Sequence, residues 1–372
     1  MPRPSAIAAL FLCLAFSLAA RAAHADDFET GRAHYDRGEY KEAFIAFTKG
    51  AAKGDPKSQY NLGIAYSTGE GTKKNEKKAF EWYRKAAEQG LMYAQYSLAN
   101  CYEQGLGTKP DYTRAGSWYM KAAIQGHPMA QYNVAILFEE GKGDIQDFSA
   151  AVTWYEKAAE QGLAVAQYRL ANLYARGFGT SEDNARTVMW YTKAAEQGDV
   201  RAQAALGKAY TSGHIVARDY AKAFEWNIKA AGQGDFESQM AAGFALRNGL
   251  GVAKNPGKAL EWYTLAATHD SPEAWYILGT MIEFGESVPA DPATAATWYE
   301  KAAERGHPNA QFSLGMLHEM GRGVPQSREK ARYWFARAAQ QGLKEAQQLL
   351  DLTAGKKPAE PGASAKDTPK KP

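Results

Sequence analysis

Residues 154–174 read WYEKAAEQGLAVAQYRLANLY, and the pattern of that stretch recurs along the chain at intervals of 36 residues. Tryptophan stands at Trp82, Trp118, Trp154, Trp190, Trp226, Trp262, Trp298 and Trp334, and of the 9 tryptophans Trp275 alone lies off this ladder. A pair of alanines follows each, from Ala86-Ala87 through Ala158-Ala159 to Ala338-Ala339. In the copy that starts at Asn75, the residues Ala79, Trp82, Tyr83, Ala86 and Ala87 fall on one face of an α-helix. Asn75, Asp111, Asp147, Asp183, Asp219, Asn255, Asp291 and Ser327 form a column of N-caps, with proline in the first helical position at Pro256 and Pro292. Glycine closes the helix at Gly90, Gly126, Gly162, Gly198, Gly234, Gly306 and Gly342, where a left-handed cap is needed, and Asp270 takes that place once.

A second helix follows in each copy. Its cap column reads Asp55, His127, Asp199, Asp235, Ser271 and His307, with proline next at Pro56, Pro128, Pro272 and Pro308. Its buried face is Ala94, Leu98, Ala99 and Tyr102 in one copy and Ala166, Leu170, Ala171 and Tyr174 in another. It ends in a Gly-x-Gly turn (Gly105/Gly107, Gly141/Gly143, Gly177/Gly179, Gly321/Gly323). No interval is long enough for a strand. Each copy is therefore a helical hairpin, and one hairpin cannot bury its own apolar face; stacking on neighbours supplies the rest and leaves a concave side. Paired alanines let helices approach, and the Trp-Tyr pair is expected to fill the groove between hairpins. Losing one buried Trp ring costs about 3–5 kcal/mol, so the ladder reads as core before it reads as a stacking platform for sugars or bases.

Trp154 to Gly162 followed by Ala166 to Tyr174 resembles the Sel-1-like repeat, a relative of the tetratricopeptide repeat. The resemblance covers about residues 39–352 in nine copies, the earliest with Ala46 in place of tryptophan. It implies an all-α fold, a right-handed α/α superhelical solenoid of about nine 36-residue hairpins, and a role as an adaptor for protein partners. It names none of them.

The ends suit a finite, exported array. Arg3, the apolar run Ile7 to Ala20 and the small residues at Ala23-His24-Ala25 read as a secretory signal peptide over 1–25, cleaved near Ala25. The run is short for a transmembrane helix. Cys13 follows Leu12, where lipoprotein processing needs a small residue, so release is expected over anchoring. Residues 26–38 read as a capping helix, and residues 353–372, rich in Pro and Lys, as a disordered tail. Cleavage leaves Cys101 as the lone cysteine, with no intrachain disulfide possible. The formal net charge of +3 gives no strong attraction to nucleic acid or anionic membrane.

Catalytic motifs are poorly represented. Ser327-Arg328-Glu329-Lys330 fits S-x-x-K of penicillin-recognising enzymes, but the accompanying S-D-N and K-T-G elements are missing and Ser327 sits in the helix-cap column. The 7 histidines do not cluster: His127 and His307 are caps, and His318 replaces a packing tyrosine. No zinc-type motif is present, and the Gly-x-Gly pairs follow helices rather than strands, so they read as turns and not as phosphate loops. Pairs such as Glu139-Glu140 need a partner in space before acid–base chemistry follows. The expectation is no enzyme, no metal and no cofactor.

Function is then expected where exposed columns depart from the pattern. Met120, Met189 and Ile228 put apolar side chains where water is expected, and Asn227 replaces the tyrosine beside Trp226. These residues either take a peptide segment of a partner or pack on the adjacent hairpin. Residues 200–290 are the least regular: Ala204 and Met240 replace tyrosine, Ile215 and Ser287 interrupt the turn, and Trp275 replaces a glutamine. Because a glutamine column implies exposure, Trp275 is a candidate anchor. The expected function is a periplasmic or secreted protein-binding scaffold working through the concave surface. A binder of envelope polysaccharide or peptidoglycan is the alternative, and a β-lactam-interacting hydrolase a remote one.

Overall fold

A computed structural model of the chain describes residues 27–142 and 146–353, and the described residues contain helices and turns but no strand. The expected leader over 1–25 and the expected tail beyond Thr353 lie outside them. Most helices are 13 residues long, near the limit at which an isolated helix holds together in water, so their stability comes from packing.

Two compact units divide the chain, one up to Gln197 and one from Gly198 onward. The first holds α1 (residues 27–36), α2 (Tyr40–Ala52), α3 (Pro56–Thr68), α4 (Glu76–Glu88), α5 (Met92–Gln104), α6 (Tyr112–Ile124), α7 (Pro128–Glu140), α8 (Phe148–Glu160), α9 (Ala164–Arg176) and α10 (Asn184–Glu196). The second holds α11 (Val200–Ser212), α12 (Tyr220–Gly232), α13 (Phe236–Asn248), α14 (Pro256–Ala266, continued by a 3-10 turn over Ala267–His269), α15 (Pro272–Glu283), α16 (Pro292–Glu304), α17 (Pro308–Met320), α18 (Arg328–Gln340) and α19 (Lys344–Thr353). Within each unit every helix from α2 on packs against the next in sequence, as stacked hairpins require.

Side chains start these helices as the cap columns demand. Asp55 Oδ2 accepts from the Ser58 amide at 2.7 Å, Asn75 Oδ1 from Lys78 at 3.0 Å, and His127 Nδ1 from Ala130 at 3.2 Å. Leu91 and Leu163 hold cap positions with no side-chain bond, so α5 and α9 begin without that help. At the other end, Gly105 caps α5 with φ 74° and Asp270 adopts the same left-handed backbone at φ 54°. The second glycine of the turn answers to a different constraint. A Cβ on Gly107 would sit 2.3 Å from the Glu76 carbonyl oxygen, because the return passes directly over the start of α4. Ser287 keeps the left-handed backbone of that position (φ 79°), and α15 before it is one residue shorter than most.

Tyrosine, rather than tryptophan, occupies the centre of the hairpin interface. Tyr119 and Tyr155 are fully buried and Tyr83, Tyr191, Tyr263 and Tyr299 nearly so. Trp190 and Trp334 are buried, whereas the other six ladder tryptophans are only half-buried. In the first unit each tyrosine of this column packs against a ring on the preceding helix: Tyr60–Tyr83, Tyr96–Tyr119, Tyr132–Tyr155 and Tyr168–Tyr191 have centroids 5.7–5.9 Å apart. In the second unit Tyr276–Tyr299 and Phe312–Phe335 repeat this geometry.

Candidate interaction surface

The glutamine column separates core from surface in this repeat. Gln95, Gln131 and Gln167 are buried, and each donates through Nε2 to the alanine carbonyl eight residues earlier, at 3.3, 3.2 and 3.0 Å. Each also accepts through Oε1 from the next repeat's glutamine: Gln125 at 2.7 Å, Gln161 at 2.8 Å and Gln197 at 2.8 Å. A glutamine ladder thus runs through the core, and the expectation that this column faces water is wrong. Trp275, 7% exposed, occupies the same buried slot, and its indole N–H donates to the Ala267 carbonyl at 3.0 Å. The Arg305 guanidinium stands over its ring at 5.6 Å, in the place of the missing glutamine. Trp275 is a core residue, and the exposure expected of it is not found.

Asn227, expected either to take a partner's segment or to pack on the adjacent hairpin, is found packed. It is 6% exposed and packs so closely on Gly207 that a Cβ there would lie 2.1 Å from its Oδ1. The tyrosine lost at 227 and the tyrosine lost at Ala204 are the two halves of one ring pair, and both are replaced together.

Several buried hydroxyls are held by carboxylates. Tyr119 donates to Glu103 Oε2 at 2.6 Å and Tyr299 to Glu283 Oε2 at 2.8 Å. Burial above all, with the carboxylate adding to it, pushes both hydroxyls well above the usual phenol range. In these structural hydrogen bonds the phenol keeps its proton, and the glutamates are already engaged. Cys101 is buried, and burial pushes its thiol up to about 11, so it is a small apolar filler and not a nucleophile. Ser327 Oγ accepts from the Lys330 amide at 3.3 Å, the capping task its column predicts. Among the described residues no group of three or more His, Cys, Asp or Glu is placed to hold a metal ion.

Outside the core, the half-buried tryptophans carry a feature that the sequence pattern alone did not bring out. Three residues after each ladder tryptophan but one stands a cation over its ring: Lys85 at 4.0 Å, Lys121 at 3.8 Å, Lys157 at 4.1 Å, Lys193 at 4.3 Å, Lys229 at 4.1 Å, Lys301 at 4.5 Å and Arg337 at 5.5 Å. The i, i+3 spacing puts the lysine stem along the ring while its ammonium stays in water. The column is readable in the sequence, since only Leu265 breaks it. Leu265 is 48% exposed beside Trp262.

Of the expected apolar positions, Met189 is 41% exposed, while Met120 and Ile228 are half-buried. Met120 lies in the wall of an open cavity of about 290 Å³ between α6 and α7, with Gly116, Leu137 and Phe138. Gly116, in the cavity lining, stands where the other hairpins place Phe44, Phe80 or Val152, and a Cβ there would come within 3.3 Å of Leu137 Cδ1.

Stacked helical hairpins with a fixed internal grammar of caps, glutamines and ring pairs define a helical-repeat protein. The chain belongs to the Sel1 repeat family: the repeat matches residues 56–91, 93–127, 128–163, 164–199, 200–235, 236–271, 272–307 and 308–343. It is similar to c5321, a protective antigen of uropathogenic Escherichia coli strains displaying an SLR fold, with 34% identity over 84% of this chain and 67% of that one and a TM-score of 0.79. A Sel1 repeat protein from Oxalobacter formigenes is also 34% identical, over 82% of this chain and 89% of that one, with a TM-score of 0.59. No curated protein matches the chain. Sel1-repeat proteins generally mediate protein–protein interactions and are typically non-catalytic scaffolds. No helix among the described residues is long and apolar enough to cross a membrane.

Proposed function

We propose that the chain is an exported, non-enzymatic scaffold that holds protein partners in the periplasm or outside the cell. Cleavage near Ala25 releases the repeat array over residues 39–352. The observation that carries the binding reading is the placing of apolar side chains on outward columns. Met189 is exposed where other copies carry Glu81, Glu225 or Glu261, and Met120 opens onto a cavity where other copies carry Arg84, Glu156 or Glu300. Water-facing apolar groups at positions that the repeat leaves polar are features of protein-binding surfaces.

A glycan platform is less well supported. Sugar stacking needs an open ring face, and seven of the eight ladder tryptophans have that face covered by a cation. The kinship with a protective antigen favours an exported location over a cytoplasmic one. The test is capture from an envelope extract on immobilised mature chain, with Met120→Glu and Met189→Glu combined. The variant is expected to fold normally and to lose the partners that the wild type retains. Undiminished capture by the variant removes this surface from the reading, and retention on insoluble cell wall in place of protein capture replaces it with the glycan alternative.

A further inference from the structure

The cavity beside Met120 has a shape that the protein's own repeats explain. In the hairpin before it, Phe80 is 9% exposed and stands edge-on to Tyr102, with centroids 5.3 Å apart and planes at 90°. One hairpin earlier, Phe44 meets Tyr66 in the same way, at 5.4 Å and 88°. The third member of this series is Gly116 with Phe138, so the helix α7 ring is present and its edge-on partner is missing. Leu137 and Phe138 are half-buried, whereas Cys101 and Tyr102 of the preceding hairpin, which holds Phe80, are buried; in the first hairpin Tyr66 is half-buried beside Phe44. The volume of about 290 Å³ exceeds the roughly 150 Å³ of apolar cavity that suffices to bind benzene.

We infer that this cavity receives one phenylalanine side chain from a protein partner, which takes the place that Phe80 fills in the preceding hairpin and restores the edge-on pair with Phe138. The inference rests on the scaffold reading and specifies what the scaffold grips. Residues 354–372 contain no aromatic side chain, so the chain's own tail does not supply the ring. Among the described residues, Lys142 is the one charged side chain that lines the cavity, on the rim and paired with Glu140 at 2.6 Å in an exposed ion pair. An acidic residue next to the partner's phenylalanine exchanges with Glu140 on that lysine, so the favoured segment is acidic-aromatic.

The probe is a blocked Glu-Phe-Glu tripeptide, titrated into the mature chain carrying methyl-labelled methionine, with Glu-Ala-Glu as control. A ring on Phe138 shifts the neighbouring Met120 methyl signal, while Met189 stays unchanged. Gly116→Phe fills the cavity from within, as Phe80 does one repeat earlier, and is expected to weaken phenylalanine-peptide binding at least tenfold. Gly116→Val, which copies Val152 of the following hairpin, serves in its place if the larger ring perturbs the fold, and Lys142→Glu is expected to weaken binding severalfold with the fold intact. A Met120 signal that moves equally for both peptides, or binding that survives both Gly116 variants, overturns the inference. The scaffold reading fails separately: if the wild type binds the phenylalanine peptide yet captures no envelope protein, the cavity assignment stands and the scaffold function falls. If Gly116→Phe keeps full capture that Met189→Glu abolishes, the scaffold stands and the cavity is not its grip.

Discussion

In the first unit the buried glutamine at Gln59, Gln95, Gln131 and Gln167 meets its partner from the next repeat each time, at 2.7–2.8 Å. In the second unit the same ladder keeps the rungs Gln203–Gln233 and Gln311–Gln341 but loses two between them. At one, glutamine has become Trp275 and its partner Arg305, and the exchange is complete: the indole N–H keeps the carbonyl bond and the guanidinium covers the ring. At the other, Gln239 remains but its partner position holds His269, which turns to Phe236 instead. Gln239 Oε1 is consequently buried with no hydrogen bond. Departures from a repeat therefore sort by whether the neighbour 30 residues on has changed with them. A compensated departure is core chemistry in another form, and an uncompensated one is a weak point or a site.

The largest test of this distinction is Trp275→Ala. A compensated ring that is 7% exposed is expected to cost about 3–5 kcal/mol when removed, seen as a lower urea midpoint for the second unit. Trp275→Gln is expected to recover part of that loss, because glutamine restores the donor to Ala267. A loss below about 1 kcal/mol for the alanine variant would place the ring outside the core and revive its candidacy as an anchor.

The ring columns supply the next contrast. Four tyrosines with raised hydroxyls stand in the first unit (Tyr83, Tyr119, Tyr155 and Tyr191) and two in the corresponding column of the second (Tyr263 and Tyr299), since Asn227 and Phe335 cannot ionise. Burial pushes Tyr83, Tyr191 and Tyr263 up to about 12. The unfolded chain releases these protons near pH 10, before the folded one does. Stability is therefore full below about pH 10 and falls as pH rises towards about 12, by about 2–3 kcal/mol for each such tyrosine. Tyr191→Phe is expected to flatten the dependence of the urea midpoint on pH in that alkaline window. Removing the first unit's set should flatten it more than removing the second's, and equal slopes would contradict the count.

His269→Gln closes the uncompensated rung. It gives Gln239 Oε1 the donor that Gln125 gives Gln95, and is expected to raise stability by about 0.5–1.5 kcal/mol in thermal or urea unfolding. No gain would mean that water already serves that oxygen.

These contrasts also show which features the sequence makes legible. Caps, helix-closing glycines and the alternation of two short helices are local, and Asn75, Gly105 and Pro128 announce them within a few residues of where they act. The glutamine ladder is not local: Gln95 looks like a water-facing amide until Gln125 is brought to it from 30 residues away. For that reason Trp275 reads as exposed when it is core. Gly116 is easily passed over because a glycine in a helix signals only a weak helix former, while its meaning lies in the ring of Phe138 across the hairpin. Met189 needs no partner to be understood, and its exposure follows from helical periodicity alone.

Leu265 makes the finest test, because here the neighbour cannot compensate. Seven ladder tryptophans carry a cation at the third residue after them, and Trp262 carries Leu265. Leu265→Lys should restore the contact and, at a half-buried ring with its ammonium in water, add about 0.5–1 kcal/mol to stability. The sign matters more than the size. A gain shows that the lysine column stabilises the stack and that Leu265 gives up some of that stability, as an exposed apolar side chain kept for contact with a partner would. A neutral result means that the lysines act mainly by keeping the tryptophan stripe wet and unavailable to chance apolar contacts. Trp262 and Leu265 then form the one gap in that cover, and capture from envelope extract should weaken in the lysine variant while its urea midpoint stays put.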